Sequence, residues 1–170
     1  MGAAGGIRRI QDYGGCFDDT FVVVCGVAVI DLDLTAVVRR HWQSGAVASI
    51  VVREVPHERL SSYGVVVCDE GGRIQSFQEK PQIEEALSQL VNTGIYVFEP
   101  EVIDLIPQDV EFDIGSELFP LMLEKGLAFN AIEAPFNWID IGHLSDYWQA
   151  NQQIMCGKLR GVRMPGTEVR

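Results

Sequence analysis

The chain has 170 residues, 47% of them hydrophobic and 22% charged, the composition of one ordinary globular domain with room for a core. Its net charge is −11 with only three lysines, Lys80, Lys125 and Lys158, and so acidic a surface argues against nucleic acid as a partner. No apolar run approaches the ~20 residues of a membrane-spanning helix, so no membrane partner is expected either.

The N-terminus opens Met-Gly-Ala-Ala-Gly-Gly before Arg8 and Arg9, with no apolar signal region behind it, and reads as a glycine-rich segment ahead of the first strand. Residues 21–30 (FVVVCGVAVI) predict one strand buried on both faces. Asp31-Leu-Asp-Leu then leads into a helix over residues 34–44, closed by Gly45, and residues 46–54 predict the next strand. This is a β-α-β unit with a parallel or mixed sheet. Residues 63–68 and 73–79 flank Asp69-Glu-Gly-Gly, a hairpin turn signal. A short helix is expected around residues 83–90, a strand at 91–98, a short helix from Pro100 and a longer one at 116–125. Residues 127–134 and 136–141 are strand-like, and residues 144–155 predict a helix with Trp148, Ile154 and Met155 as core candidates. Cys16, Cys25, Cys68 and Cys156 are far apart with no C-x-x-C pair, as expected of reduced thiols in a cytoplasmic protein.

Several short motifs could carry chemistry, and each has a bland alternative. Gln78-Glu79-Lys80-Pro81 ends a hairpin strand with a lone ammonium that suits a phosphate, or it is a solvated turn. Asn92-Thr93-Gly94 interrupts an apolar strand, marking a β-bulge or a close ligand approach. Asp140, in Trp-Ile-Asp-Ile-Gly, is a hard-cation ligand or a cap for the following helix. Asp31 and Asp33 are a metal pair or helix-entry residues. His41, His57 and His143 make no ligand spacing.

The order of these blocks says more than any one of them. AGGIRRI, FVVVCG with its D-L-D-L helix entry, YGVV, DEGGRI, FQEKP, VNTGIYVFEP, FDIGSELFP and WIDIG with DYWQAN run in one series from Ala4 to Asn151. The series resembles the sugar-1-phosphate nucleotidylyltransferases, in which a sugar-1-phosphate oxygen attacks the α-phosphorus of a nucleoside triphosphate and pyrophosphate leaves. The resemblance implies an α/β fold, a Rossmann-like mixed sheet flanked by helices and lacking its first strands. Residues 1–156 would form a partial nucleotidyltransferase domain, and residues 157–170 resemble the entry to a left-handed β-helix. It also implies roles: Gly5 beside the nucleobase, Gly26 ending the central strand, Tyr63 and Gly64 on the sugar, and Glu79 accepting sugar hydroxyls. Lys80 would hold the sugar-1-phosphate, Asn92, Thr93 and Gly94 would line the sugar pocket, and Asp140 would bind Mg²⁺.

The sequence departs from the family pattern twice. It has no counterpart of the N-terminal strand and G-x-G-T-R-type loop that wraps the triphosphate, and Gly26-Val27 stands where the family has Gly-Asp, so that the resemblance puts an alkyl group in place of the first metal carboxylate. The expectation is therefore a chain inactive by itself, its parent using a nucleoside triphosphate and a hexose-1-phosphate, with the W-x-D-I-G…D-Y form leaning towards mannose-1-phosphate guanylyltransferases. A non-catalytic nucleotide-sugar-binding or regulatory subunit is the alternative. The apolar strand 21–30, left without its partner strand, predicts a homodimer or higher oligomer.

Overall fold

The computed structural model describes residues 2–161. The N-terminal segment is a helix, α1 (Ala3–Gly14), rather than an irregular glycine-rich stretch. Glycine weakens a helix, but here it permits backbone contact: Gly5 N–H donates to the Phe112 carbonyl at 2.9 Å, and a Cβ on Gly2 would lie 2.3 Å from that oxygen. The expected strand 21–30 is two strands, β1 (Phe21–Val24) and β2 (Ala28–Ile30), broken at the Cys25-Gly26-Val27 turn. β1 is not buried on both faces, since Phe21 and Val23 pack on the core while Val22 and Val24 are 37% and 41% exposed.

Helix α2 (Leu34–Ser44) follows as its caps predict: Asp33 accepts from Ala36 N–H at 3.0 Å, and Gly45 closes it in the left-handed conformation. β3 (Ala48–Glu54) comes next, then the hairpin of β4 (Val65–Cys68) and β5 (Ile74–Gln78). Asp69 shapes the hairpin turn, accepting from Gly71 and Arg73 N–H. The helix expected near residues 83–90 shrinks to one 3₁₀ turn, Ile83–Glu85, because Gln78 bonds the Glu85 carbonyl and the Leu87 amide and draws the segment away from helical pairing. β6 (Leu90–Phe98) is followed by a 3₁₀ helix, Pro100–Leu105, and by a π-turn, Ile114–Leu118, that runs into α3 (Phe119–Glu124). β7 (Phe129–Glu133), β8 (Trp138–Asp140) and α4 (Leu144–Met155) complete the described fold. In α4 only Ala150 is buried. Trp148 and Met155 are 64% and 66% exposed and Ile154 is half-buried, so these three do not form a core face. The tail that resembles a β-helix entry lies, from residue 162 on, outside the described residues.

The main sheet runs β5-β4-β6-β3-β7, with β1 added to β6 and only β3–β7 parallel, and β2 and β8 form a separate antiparallel pair. It is the mixed, helix-flanked sheet that the sequence predicts. Period-two alternation splits its buried side chains between two faces: Ile50, Tyr96, Phe98 and Phe129 on one, where Phe119 of α3 packs, and Val51, Ile95, Val97 and Ile132 on the other, where Val37 of α2 packs. Buried His41 of α2 joins Ser49 at 2.8 Å and Glu99 at 2.9 Å, tying helix to sheet.

Asp31 closes the small sheet. Its carboxylate accepts from the backbone and side-chain nitrogens of Asn137, both at 2.6 Å, and from Arg160 N–H at 2.9 Å. Burial alone would raise its pKa, but these hydrogen bonds bring it down to about 2, against an ordinary 3.8. A depressed pKa stabilises the fold fully above 3.8, and that contribution is lost as pH falls towards 2. Asp31→Asn should therefore lower the unfolding free energy at neutral pH by about 1–3 kcal/mol and flatten the acid limb of the stability curve. Urea unfolding of both proteins across that range checks this, and parallel acid limbs would refute it.

Candidate functional site

The start of β4, the end of β5 and the first half of β6 meet at one end of the sheet, and most of the predicted site residues gather there. Asn92 N–H donates to the Gly64 carbonyl at 2.8 Å, joining two of them through the backbone. Gly64 has no room for a side chain: a Cβ would lie 2.4 Å from the Phe77 ring and 3.2 Å from a Glu79 carboxylate oxygen. Gly115 approaches the same carboxylate, with its own Cβ position 3.0 Å away. Glu79 thus lies against two glycines, one on each side. Burial pushes its pKa up, Lys80 pulls it back and Asp113 adds to the rise. Lys80 adopts φ 44, unusual for a side-chain-bearing residue, and presents an exposed ammonium 3.9 Å from Glu79. A hydroxyl acceptor and a phosphate-sized charge therefore sit side by side.

Sequence reasoning did not single out Asp113. It caps the π-turn, accepting from Gly115 N–H at 2.9 Å and from Ser116 N–H and hydroxyl, both at 3.1 Å, and so fixes Gly115 against Glu79. Burial opposes its ionisation, yet those bonds hold its pKa below the ordinary carboxylate value. The Asp-x-Gly-Ser spacing was the available signal.

Asn92-Thr93-Gly94 is a bulge: the β3–β6 register shifts between Ile50 and Val52. Asn92 is engaged inside it, donating to the Tyr96 hydroxyl at 3.0 Å and accepting from Gly94 N–H at 2.9 Å. Thr93 is buried, its hydroxyl spent on the Val51 carbonyl at 2.7 Å. Burial pushes the Tyr96 pKa up to about 12, and its phenol stays neutral. Gly5 lies inside α1, against Phe112, rather than in a turn.

Tyr63 and Asp140 form a second group on the opposite face of β4. They line a cavity of about 230 Å³ with Arg59, Trp138 and Asp146. Arg59 donates to the Tyr63 hydroxyl at 2.6 Å, and the Tyr63 and Trp138 rings lie 5.1 Å apart. The Trp138 indole N–H is buried without a partner among the described residues.

The β2–β8 pairing brings the Gly26-Val27 turn alongside Asp140: Ala28 faces Asp140, and Ile141 N–H donates to the Val27 carbonyl at 3.0 Å. The two positions that the resemblance assigns to metal ligands thus meet in space. The donors do not fit the ion, however. Val27 offers an alkyl group, and Asp146 caps α4 by accepting from His143 N–H at 2.8 Å. Among the described residues no three His, Cys, Asp or Glu side chains gather to hold a metal. Mg²⁺ needs oxygen ligands, and Asp140 alone is a poor site.

Gly94 is the strictest position in the bulge, with φ 76 and a Cβ position 2.8 Å from that of Cys25. Gly94→Ala should cost about 1–3 kcal/mol through backbone strain and this clash. Denaturant unfolding measures it, and a neutral substitution would mean that the bulge relaxes freely.

Comparison with known proteins identifies the family. The nucleotidyl transferase family profile matches residues 1–156. A UTP–glucose-1-phosphate uridylyltransferase of Synechocystis sp. is 54% identical over 170 residues, all of this chain and 44% of that protein. A mannose-1-phosphate guanyltransferase beta-B of Xenopus laevis is 36% identical over 164 residues, 96% of this chain and 43% of its own length. The chain thus spans less than half the length of these relatives. A solved UDP-glucose pyrophosphorylase, complexed with UDP-glucose, shares the fold with a TM-score of 0.72 at 19% identity, covering 92% of this chain and 62% of that one. With that match running from residue 1 to residue 156, the chain belongs to the nucleotidyl transferase family.

Proposed function

We propose that this chain is the sugar-phosphate-binding part of a sugar-1-phosphate nucleotidylyltransferase and does not by itself catalyse nucleotidyl transfer. The observation that carries the reading is the contrast between the two groups at the site. Glu79 and Lys80 stand ready for a hexose-1-phosphate, whereas Val27 beside Asp140 leaves a single carboxylate where the reaction calls for charge neutralisation of a triphosphate. The 54% identical uridylyltransferase makes glucose-1-phosphate the first sugar to test, ahead of the mannose-1-phosphate that the W-x-D-I-G form suggests. Val27 also favours a second reading, a regulatory subunit that holds a nucleotide sugar without turning it over.

Glucose-1-phosphate should bind in calorimetry without added metal, and Lys80→Gln should weaken it at least tenfold, about 1.4 kcal/mol. Because the Glu79 pKa is raised above 4.5, affinity should be full at neutral pH and should start to fall on acidification before an ordinary glutamate would titrate. No pyrophosphate should be released with any of the four nucleoside triphosphates. Turnover at an ordinary ~1–10³ s⁻¹ would overturn the reading.

The same reading includes a homodimer. One edge of β1 is unpaired among the described residues, and Val22 and Val24 face water next to α2. There Trp42, 59% exposed, donates its indole N–H to Thr20 just before the strand. A second copy, paired antiparallel on this edge, would set each Val22–Val24 pair against its equivalent and bury one uncharged strip. Light scattering should report a dimer, and Val24→Lys should give a folded monomer because its side chain already points outward. A monomer of the unsubstituted chain would refute it.

A further inference from the structure

A cavity of about 930 Å³ that takes none of its lining from the Glu79–Lys80 corner carries four cations on its walls. Arg40 comes from α2, Arg53 from β3, and Lys158 and Arg160 from the chain beyond α4. Glu54 and Glu133 also line it. Neither carboxylate comes within ion-pair distance of Arg40, Arg53 or Lys158 among the described residues, and Arg160 is 3.5 Å from Asp31. In a chain of net charge −11, four cations gathered on one cavity against two glutamates, three of them without an ion-pair partner among the described residues, are a local reversal of sign.

The arginines are aimed by the backbone that they embrace. Arg40 donates to the Glu133 carbonyl at 2.5 Å, Arg160 to the Pro135 carbonyl at 2.8 Å and Arg53 to the Phe136 carbonyl. The Arg53 guanidinium also lies over the Phe136 ring, 5.8 Å from its centre. These contacts hold the planar heads in place but use only part of their donors, since each guanidinium carries five N–H groups. The three guanidinium groups, already held in place, have little freedom left to lose on meeting an anion, and only the Lys158 ammonium has still to be ordered.

We propose that this cavity is an anion site for a small molecule bearing two or more phosphate groups, separate from the sugar-phosphate corner. Its volume suits a ligand of metabolite size. Cations on separate walls fit a compact, multiply charged group, and guanidinium forks match phosphate oxygens two at a time.

Inorganic pyrophosphate is the probe, titrated into the full chain by calorimetry, with citrate as the carboxylate counterpart. Binding is expected with a dissociation constant at or below about 1 mM, weakening as salt rises. Lys158→Gln and Arg40→Gln should each weaken it at least tenfold, whereas Lys80→Gln should leave it unchanged. The Lys158 ammonium has no partner among the described residues, so its variant keeps the fold, which circular dichroism verifies for both. No binding of pyrophosphate would overturn the site, as would undiminished binding by the Lys158 and Arg40 variants. Loss of binding in Lys80→Gln would return the anion to the sugar-phosphate corner. Tighter binding of citrate than of pyrophosphate would overturn the phosphate assignment.

Discussion

The fold turns on one residue in the middle of one strand. Gly94 takes a left-handed backbone inside β6, and the bulge there lets a single strand serve different neighbours along its length. Before the bulge, Val91 pairs with Val65 of β4; after it, residues 95–98 pair with β1, while β3 stays alongside on the other edge. Without the kink, one continuous ladder would run the length of β6, and Asn92 would not be turned to brace Tyr96 and Gly94. The break also leaves Cys25 donating to the Gly94 carbonyl at 2.9 Å, which starts the turn that carries Gly26 and Val27 towards Asp140. A conformation open almost only to glycine therefore sets both the strand order and the approach of the two halves of the site.

Much of this was legible in the sequence. The caps of α2, the Asp69 hairpin and the β6 run carry local signals, because a cap or a turn is written in three or four adjacent residues. What failed were inferences that needed tertiary context. Three glycines at residues 2, 5 and 6 read as irregular chain, yet they start a helix because Phe112, far along the sequence, comes close enough to exclude a Cβ at Gly2. The run FVVVCGVAVI read as one buried strand because apolar content alone does not reveal that its halves join different sheets. Trp148 and Met155 read as core because they are large and apolar, but no element among the described residues covers them.

The site shows the same division. Glu79, Lys80 and Gly64 could be named from the resemblance, and the structure gathers them with Asn92 at one end of the sheet. Asp113 could not be weighed from sequence, since its part is indirect, through the backbone position of Gly115. Tyr63 and Gly64 are neighbours in the chain, yet alternation along the extended segment that enters β4 sends them to opposite faces, so the Glu79–Lys80 corner and the Asp140 cavity are linked by the backbone rather than by touching side chains. The proposal of a non-catalytic chain rests on one side chain, Val27, in the turn that reaches Asp140.

The one-sided support of β1 also bears on the order in which the molecule comes apart. β3 is clasped on both edges and almost wholly buried, whereas β1 rests on β6 alone through four residue pairs, from Phe21↔Phe98 to Val24↔Ile95. Those partners are distant along the chain, so the contact closes a long loop for little buried area. Amides of β1 should therefore exchange with solvent through a partial opening in which the strand lifts away while β3, β6 and β7 stay paired. That places the lowest rung of the unfolding ladder next to the Cys25-Gly26-Val27 turn, and each such opening would lift Phe21 and Val23 from the core and leave the turn held only from its β2–β8 side.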